Sequence, residues 1–114
     1  MRLSEAIRLG AALRGQAFGF GYSEFKQRTC AVGAAAEAVG LYKIDAEGRC
    51  VQTDVDIFAA LPMLKVPTIC PLCRYRGATG NVMAHLNDWH RWTREAIADW
   101  VVVEETVAEQ TVVG

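Results

Sequence analysis

Four residues whose side chains bind metal ions form one spaced pattern in the C-terminal half of the chain. Cys70 and Cys73 make a C-x2-C pair, and after eleven further residues His85 and His90 make an H-x4-H pair. Structural zinc takes four thiolate or imidazole ligands in a closed tetrahedron. A CxxC turn directs both sulfurs to one point, and two histidines at a loosened helix end lie on roughly one face. The pattern therefore predicts one structural Zn²⁺ site.

Neighbouring residues agree with a Cys2His2-like unit, although its spacer is one residue shorter than usual. Val82 stands where such units place a core aliphatic side chain, and Gly77 and Gly80 suit the turns of a short hairpin. The only two histidines of the chain both fall in the pattern. Two alternatives remain, namely a chance pairing of CxxC with packed histidines, and a disulfide between Cys70 and Cys73. Four protein ligands leave no open position, so the predicted site is structural, not catalytic.

Basic and aromatic residues surround the predicted site. The candidate partner contacts are Arg74, Arg76, Arg91 and Arg94, and the flat side chains are Tyr75, Trp89 and Trp92. One interpretation is a contact patch for nucleic acid or protein. The other is a solvated rim with the tryptophans buried in the core. We favour the second, because an acidic stretch follows directly, comprising Asp99, Glu104, Glu105 and Glu109.

No catalytic constellation is recognisable. Cys30 stands at the start of a predicted helix, where a thiol pKa can be lowered as a nucleophile requires. The predicted metal site uses both histidines, so none remains to act as its base, and Cys50 is interpreted as a small buried hydrophobe. The G-x-G within residues 18–22 lacks a third glycine and the strand-to-helix context of a nucleotide loop. The sequence therefore predicts no enzyme, with a thiol enzyme using Cys30 as an alternative.

Periodicity and turn residues divide the chain into short elements. Helices are predicted at about 3–14, 29–39 and 54–61, and a helix over 82–90 carries both histidines. Residues 16–28 read as a loop, and 41–51 as a small hairpin or irregular loop. Thr93 caps a final helix over 94–103, whereas the tail 104–114 fits a helix, an edge strand or a frayed end. The alanines and Gly33 of the second helix make a smooth surface that another helix can approach closely.

Composition indicates one small folded domain. The chain has 114 residues, of which 52% are hydrophobic and 22% charged, and its formal net charge is −1. It therefore has no global positive field for nucleic acid or anionic lipid. We expect a mainly helical α+β fold with a helical region 1–64, a zinc-binding unit 65–103 and a tail 104–114, packed together. No apolar run is long enough to span a membrane and no signal peptide is recognisable, so the cytoplasm is the expected compartment. There, Cys pairs more often bind metal than form disulfides.

Three stretches resemble small uncharacterised proteins of bacteriophages and prophages. The C-terminal run HLNDWHRWTREAIADW, residues 85–100, carries most of this resemblance, and LSEAIRLGA at 3–11 and TCAVGAA at 29–35 add to it. The resemblance implies a phage or bacterial intracellular origin, and it assigns no activity. Members vary in whether the CxxC is present, and its presence here favours a metal.

These observations predict a small zinc-stabilised interaction or regulatory protein that binds a protein or nucleic-acid partner. A DNA-binding regulator resembling a helix-turn-helix protein is an alternative. In that case residues 90–103 would form the recognition element, with Arg91 and Arg94 near the phosphates. The partner itself is not predicted.

Overall fold

Five α-helices, one 3₁₀-helix and three two-stranded antiparallel sheets make up the described part of the chain. The computed structural model describes residues 1–18, 22–23 and 28–112. The elements in chain order are α1 Leu3–Leu13, β1 Tyr22–Ser23, β2 Arg28–Thr29, α2 Ala31–Ala38, β3 Tyr42–Ile44, β4 Cys50–Gln52, α3 Ile57–Ala60, the 3₁₀-helix Pro62–Lys65, β5 Pro67–Ile69, β6 Arg76–Ala78, α4 Thr79–Asp88 and α5 Arg94–Val112. The strands pair as β1–β2, β3–β4 and β5–β6. The predicted mainly helical α+β class is confirmed at this level.

The two N-terminal helices pack closely because small residues face each other. A Cβ atom placed on Gly10 of α1 would lie 1.9 Å from the backbone oxygen of Ala34 in α2. The alanines of α2 are buried almost throughout. The smooth helix surface predicted for α2 is therefore the surface on which α1 lies.

One hydrophobic core joins the N-terminal helices to the C-terminal half. Buried side chains of α1, α2, α4 and α5 belong to the same cluster, which includes Leu3, Ile7, Ala35, Val82, Met83, Leu86, Ile97 and Val101. Val82 is fully buried, as the finger-like pattern predicts. The predicted zinc-binding unit, residues 65–103, thus shares its core with the rest of the described chain, and we call it the metal unit below.

Helix α5 runs beside α1 and is held there by ion pairs. Arg2 contacts Glu109 at 2.7 Å, and Arg8 contacts Asp99. The buried carboxylate of Glu105 accepts a hydrogen bond of 3.1 Å from the Ser4 amide. Residues 104–112 therefore continue the helix, which was one of three options for the tail. No helix among the described residues combines the length and apolarity needed to cross a bilayer.

Several predicted boundaries differ from the observed ones. Helix α2 begins at Ala31, later than predicted, because Cys30 is its N-cap and its sulfur accepts a hydrogen bond from Gly33 N at 3.4 Å. Helix α3 is shorter than predicted, since Asp56 is its N-cap, and Pro62 begins a separate 3₁₀-helix. The Thr93 cap is confirmed by a 3.1 Å bond from Ala96 N. The hairpin at 41–51 forms, whereas the loop predicted at 16–28 lies partly outside the described residues.

Candidate metal centre

The β5–β6 hairpin supplies the two cysteines. Ile69 pairs with Arg76, and the amide of Cys70 donates a 2.8 Å hydrogen bond to the carbonyl of Tyr75, which closes the connecting loop. Within this loop the amide of Leu72 approaches Cys70 Sγ at 3.5 Å. The loop therefore holds both sulfurs on one side of the hairpin. It contains neither Gly77 nor Gly80, the glycines predicted to form the hairpin turns.

Those two glycines serve elsewhere. Gly77 lies within β6, and Gly80 lies in the first turn of α4. A Cβ atom on Gly80 would come within 3.3 Å of Leu64 Cδ2, so Gly80 permits α4 to approach the 3₁₀-helix. The prediction that Gly77 and Gly80 form hairpin turns is therefore wrong.

Helix α4 and the turn after it supply the two histidines. The carbonyl of His85 accepts hydrogen bonds from both Trp89 N at 2.9 Å and His90 N at 3.3 Å, so the helix loosens at its end. Arg91 then takes a left-handed conformation with φ of 58°, and Trp92 N bonds back to the carbonyl of Leu86 at 3.0 Å. The chain turns sharply towards α5 after bringing His90 next to His85. The predicted loosened last turn is observed.

All four predicted ligands converge. The ligand atoms that Cys70, Cys73, His85 and His90 offer lie within 4.8 Å of one another, and Cys73 Sγ is 3.2 Å from His85 Nε2. In a tetrahedral zinc site, bonds of about 2.3 Å to sulfur and about 2.0 Å to nitrogen separate the two ligand atoms by about 3.5 Å. The four residues therefore lie close enough to hold one metal ion.

One nitrogen of this group has no hydrogen-bond partner within the described chain. His90 Nε2 is buried, and it has no hydrogen-bond partner among the described residues. Buried polar side-chain atoms almost always have a partner, and a bound ion or water is one explanation of an exception. A metal held by the neighbouring sulfurs would supply that missing interaction. The donor set thus fits a metal ion in chemistry as well as in distance.

The immediate surroundings favour the metal-binding form of His85. Its ring stacks on Tyr75 with centroids 4.4 Å apart, and it meets the His90 ring edge-on at 4.7 Å. Burial lowers the pKa of His85 most, and the charge of His90 lowers it further. The neutral imidazole, which is the form that binds metals, is thereby favoured. Sequence reasoning assigned Tyr75 to the surrounding patch but did not foresee that its ring supports a ligand.

The thiols take different positions. All four cysteines are free, so the alternative of a Cys70–Cys73 disulfide is not observed. Cys70 is buried and Cys73 is exposed. Cys30, at the start of α2, is also buried, with 3% of its surface exposed. Cys30 lines a cavity of about 430 Å³ between α2, β3, α3 and α4, which Tyr42 also lines. Burial raises the pKa of Tyr42, with smaller contributions from Cys50 and Cys30.

The candidate contact arginines separate into two groups. Arg74, Arg76 and Arg91 are exposed. For Arg94 the prediction of a partner contact is corrected, because this side chain is 8% exposed and bonded within the chain. Its guanidinium donates to Thr29 Oγ1 at 3.0 Å and to the carbonyl of Arg14 at 2.7 Å, near the end of α1. Burial lowers the pKa of Arg94.

The tryptophans do not all enter the core. Trp100 is 9% exposed and Trp92 is half-buried, but Trp89 is 76% exposed. The favoured interpretation, a rim with buried tryptophans, is wrong for Trp89. Its premise also changes, because Asp99, Glu105 and Glu109 of the acidic stretch contact α1.

Comparison of the chain with family models, curated proteins and solved structures gives no significant match. The resemblance to phage proteins therefore stays a prediction, and function has to be argued from the site itself.

Proposed function

We propose that this protein is a small zinc-stabilised binding protein of bacterial or phage origin. The observation that carries the proposal is the convergence of two thiols and two imidazoles around the unpartnered His90 Nε2. Zinc is the metal that best suits a closed set of two sulfur and two nitrogen ligands. With four protein ligands, the ion has no open position for water or substrate. It would stabilise the fold and perform no chemistry.

The local architecture supports this proposal. Strands β5 and β6 followed by α4 reproduce the ββα order of Cys2His2 zinc fingers. The finger is built into a helical domain, because its buried Val82, Met83 and Leu86 share the core with α1 and α5. Binding to a protein or nucleic-acid partner would then fall to the exposed surface around the metal centre.

Elemental analysis tests the metal. We expect about one zinc per chain in protein purified without a metal-affinity step. Cys73→Ser should lose zinc and unfold at least the C-terminal half, since metal binding and folding are coupled. Cys50→Ser, a thiol outside the ligand set, is the matched control and should keep its zinc. A Cys73→Ser protein that has no metal and is as stable as the parent would contradict the proposal.

The two alternatives gain no support from the geometry. The helix-turn-helix hypothesis depended partly on Arg94, whose guanidinium is bound inside the chain. The thiol-enzyme hypothesis depends on Cys30, which is nearly inaccessible, and both histidines of the chain lie at the metal centre. Labelling with a thiol reagent at neutral pH tests the thiol-enzyme hypothesis directly. Rapid modification of Cys30 in the zinc-loaded protein would support that hypothesis.

A further inference from the structure

The start of the helix that reads duplex DNA in a free zinc finger lies against the rest of the domain here. In such fingers the residues around the start of the helix reach into the major groove. Here Gly80 abuts Leu64, and Ala78 and Gly80 line the cavity next to α2 and α3. Asn81 of the same helix is exposed, and Asn81 and Ala84 also line a cleft on the exposed side of the metal unit. The contact with the domain therefore limits how deeply the start of α4 can enter a groove, and it leaves the cleft side open.

A shallow cleft lies on the exposed side of the metal unit. We call it the aromatic cleft, and it is lined by Tyr75, Asn81, Ala84, His85, Asp88 and Trp89. Its volume is about 390 Å³. Trp89 is 76% exposed and Tyr75 is 41% exposed. Large aromatic side chains that remain this exposed mark interaction sites when they are grouped.

Positive charge lies beside the aromatic cleft. Arg74 and Arg76 flank Tyr75 in the chain, and both side chains are exposed. Arg91 follows Trp89 by two positions, and its guanidinium lies 4.8 Å from the centroid of the Phe18 ring. Glu95, Asp99 and Glu109 of α5 form ion pairs with Arg8 and Arg2 instead. The metal unit thus combines exposed aromatic rings with a local excess of cations, although the whole chain has a net charge of −1.

We propose that the aromatic cleft binds single-stranded nucleic acid, with one base stacked on Trp89 and phosphates next to Arg74 and Arg76. Exposed aromatic rings beside cations are the usual means of binding single strands, because every base has a stacking face. In a duplex those faces are covered by neighbouring bases. The proposal rests on the proposed function, since the metal unit holds His85 and, through it, Tyr75.

The polar lining of the cleft predicts a base preference. A carboxylate only accepts hydrogen bonds, so Asp88 suits a base with an exocyclic amino group, such as cytosine, better than thymine. Asp88 already accepts a 2.7 Å bond from Asn87, which holds its carboxylate in place. We expect oligo-dC to bind more tightly than oligo-dT.

Fluorescence anisotropy with the zinc-loaded full chain tests the proposal. The probes are labelled oligo-dC and oligo-C RNA of about 12 nucleotides, within the usual site sizes, and a duplex of the same length. Trp89→Ala should weaken single-strand binding about 5- to 150-fold, and Trp89→Phe should retain most of the affinity. Phe58→Ala removes an exposed ring of α3 outside the cleft and should change nothing.

The arginines have their own readout. Arg74→Ala and Arg76→Ala should each reduce the slope of log affinity against log salt by about 0.7, the value for one phosphate contact on a single strand. Arg49→Ala, an exposed arginine of the β3–β4 hairpin, is the matched control and should leave the slope unchanged.

The outcomes separate the two proposals. Zinc-loaded protein that binds no single strand overturns this inference and leaves the metal proposal intact. Protein without zinc overturns the metal proposal directly. Binding that is equally tight to duplex and unaffected by Trp89→Ala also overturns the inference, because it would place the contact elsewhere. Equal binding of DNA and RNA strands supports recognition of bases and phosphates without the sugar.

Discussion

Asn87 connects the metal unit to the N-terminal half through one fully buried amide. Its Oδ1 accepts hydrogen bonds from Ala31 N at 3.1 Å and from the Gln16 side chain at 2.9 Å. Its Nδ2 donates to the carbonyl of Ala17 at 2.9 Å. An amide that is fully satisfied in a buried position fixes the relative placement of the elements that it joins. Asn87 therefore sets where α4 sits against α2.

Replacement of Asn87 should be costly. Asn87→Ala leaves the Ala31 amide and the Ala17 carbonyl without these partners, and we expect the free energy of unfolding to fall by about 2 kcal/mol or more. Asn81→Ala removes an exposed amide of the same helix and should change stability by less than about 0.5 kcal/mol. Urea denaturation of both zinc-loaded variants measures the difference. Equal stabilities would show that the Asn87 bonds contribute nothing net.

At the scale of elements, the contact between α1 and α2 depends on the absence of a side chain at Gly10. The space that a methyl group would need there is occupied by the backbone of Ala34, which cannot move without displacing α2. At Gly15, just beyond α1, the nearest atom to an added Cβ is 3.6 Å away on the flexible Arg28 side chain. These two positions make a matched pair.

Gly10→Ala should destabilise the protein by about 1–3 kcal/mol or more, which is the usual cost of overpacking a core. Gly15→Ala should be close to neutral. Thermal unfolding of both variants tests this. If the two glycines tolerate alanine equally, the helices are not as closely packed as the structure shows.

The β3–β4 hairpin carries a pH-dependent turn. Hydrogen bonds from Arg49, above all that from its backbone amide, lower the pKa of Asp45, and Glu47 N contributes less. The pKa of Asp45 is lower in the folded state than in the unfolded state. The ionised carboxylate therefore stabilises the fold at pH values above its unfolded pKa of about 3.9, and this stabilisation is lost as the pH falls through its folded pKa.

In the Asp45→Asn variant, stability should therefore fall less steeply than in the parent as the pH is lowered. The amide oxygen still accepts hydrogen bonds but does not titrate. Urea midpoints measured from neutral pH down to strongly acidic solution provide the test, with Glu47→Gln as the control that keeps the Asp45 carboxyl. Parallel profiles for the parent and Asp45→Asn would contradict the assignment.

At the scale of the whole molecule, the metal unit and the helices share one core. Val82 and Leu86 of α4 belong to the same buried cluster as Ile7 of α1 and Val101 of α5. A small domain of this size buries limited apolar surface, so a bound metal would add materially to its stability. Loss of the metal should consequently affect residues far from the ligands.

Removal of zinc by a chelator should lower the melting temperature in a single cooperative transition. Far-UV and near-UV circular dichroism should then change together, because no described part has a core of its own. Re-addition of zinc should restore the parent transition. An N-terminal half that stayed folded and melted separately would show that the two halves are independent.

Much of the candidate site could be predicted because the capacity to bind a metal depends on residue types and their spacing, which the sequence shows directly. Cys70, Cys73, His85 and His90 are recognisable without any fold, since few side chains bind zinc. Local signals also predicted the Thr93 cap and gave the β3–β4 hairpin as one of two options, because caps and turns form between residues close in sequence. The sequence by itself thus determined the donor set and much of the local structure.

Only the tertiary structure decided which surfaces are free. Arg94 and Arg91 look alike in the sequence, yet Arg94 is bonded inside the chain and Arg91 is exposed. The cavity beside α4 and the exposure of Trp89 likewise depend on which elements pack beside them. Burial is a property of contacts between residues distant in sequence, and no local pattern specifies those contacts. For that reason the convergence of the two cysteines and two histidines was predictable, and the exposure of the surface around them was not.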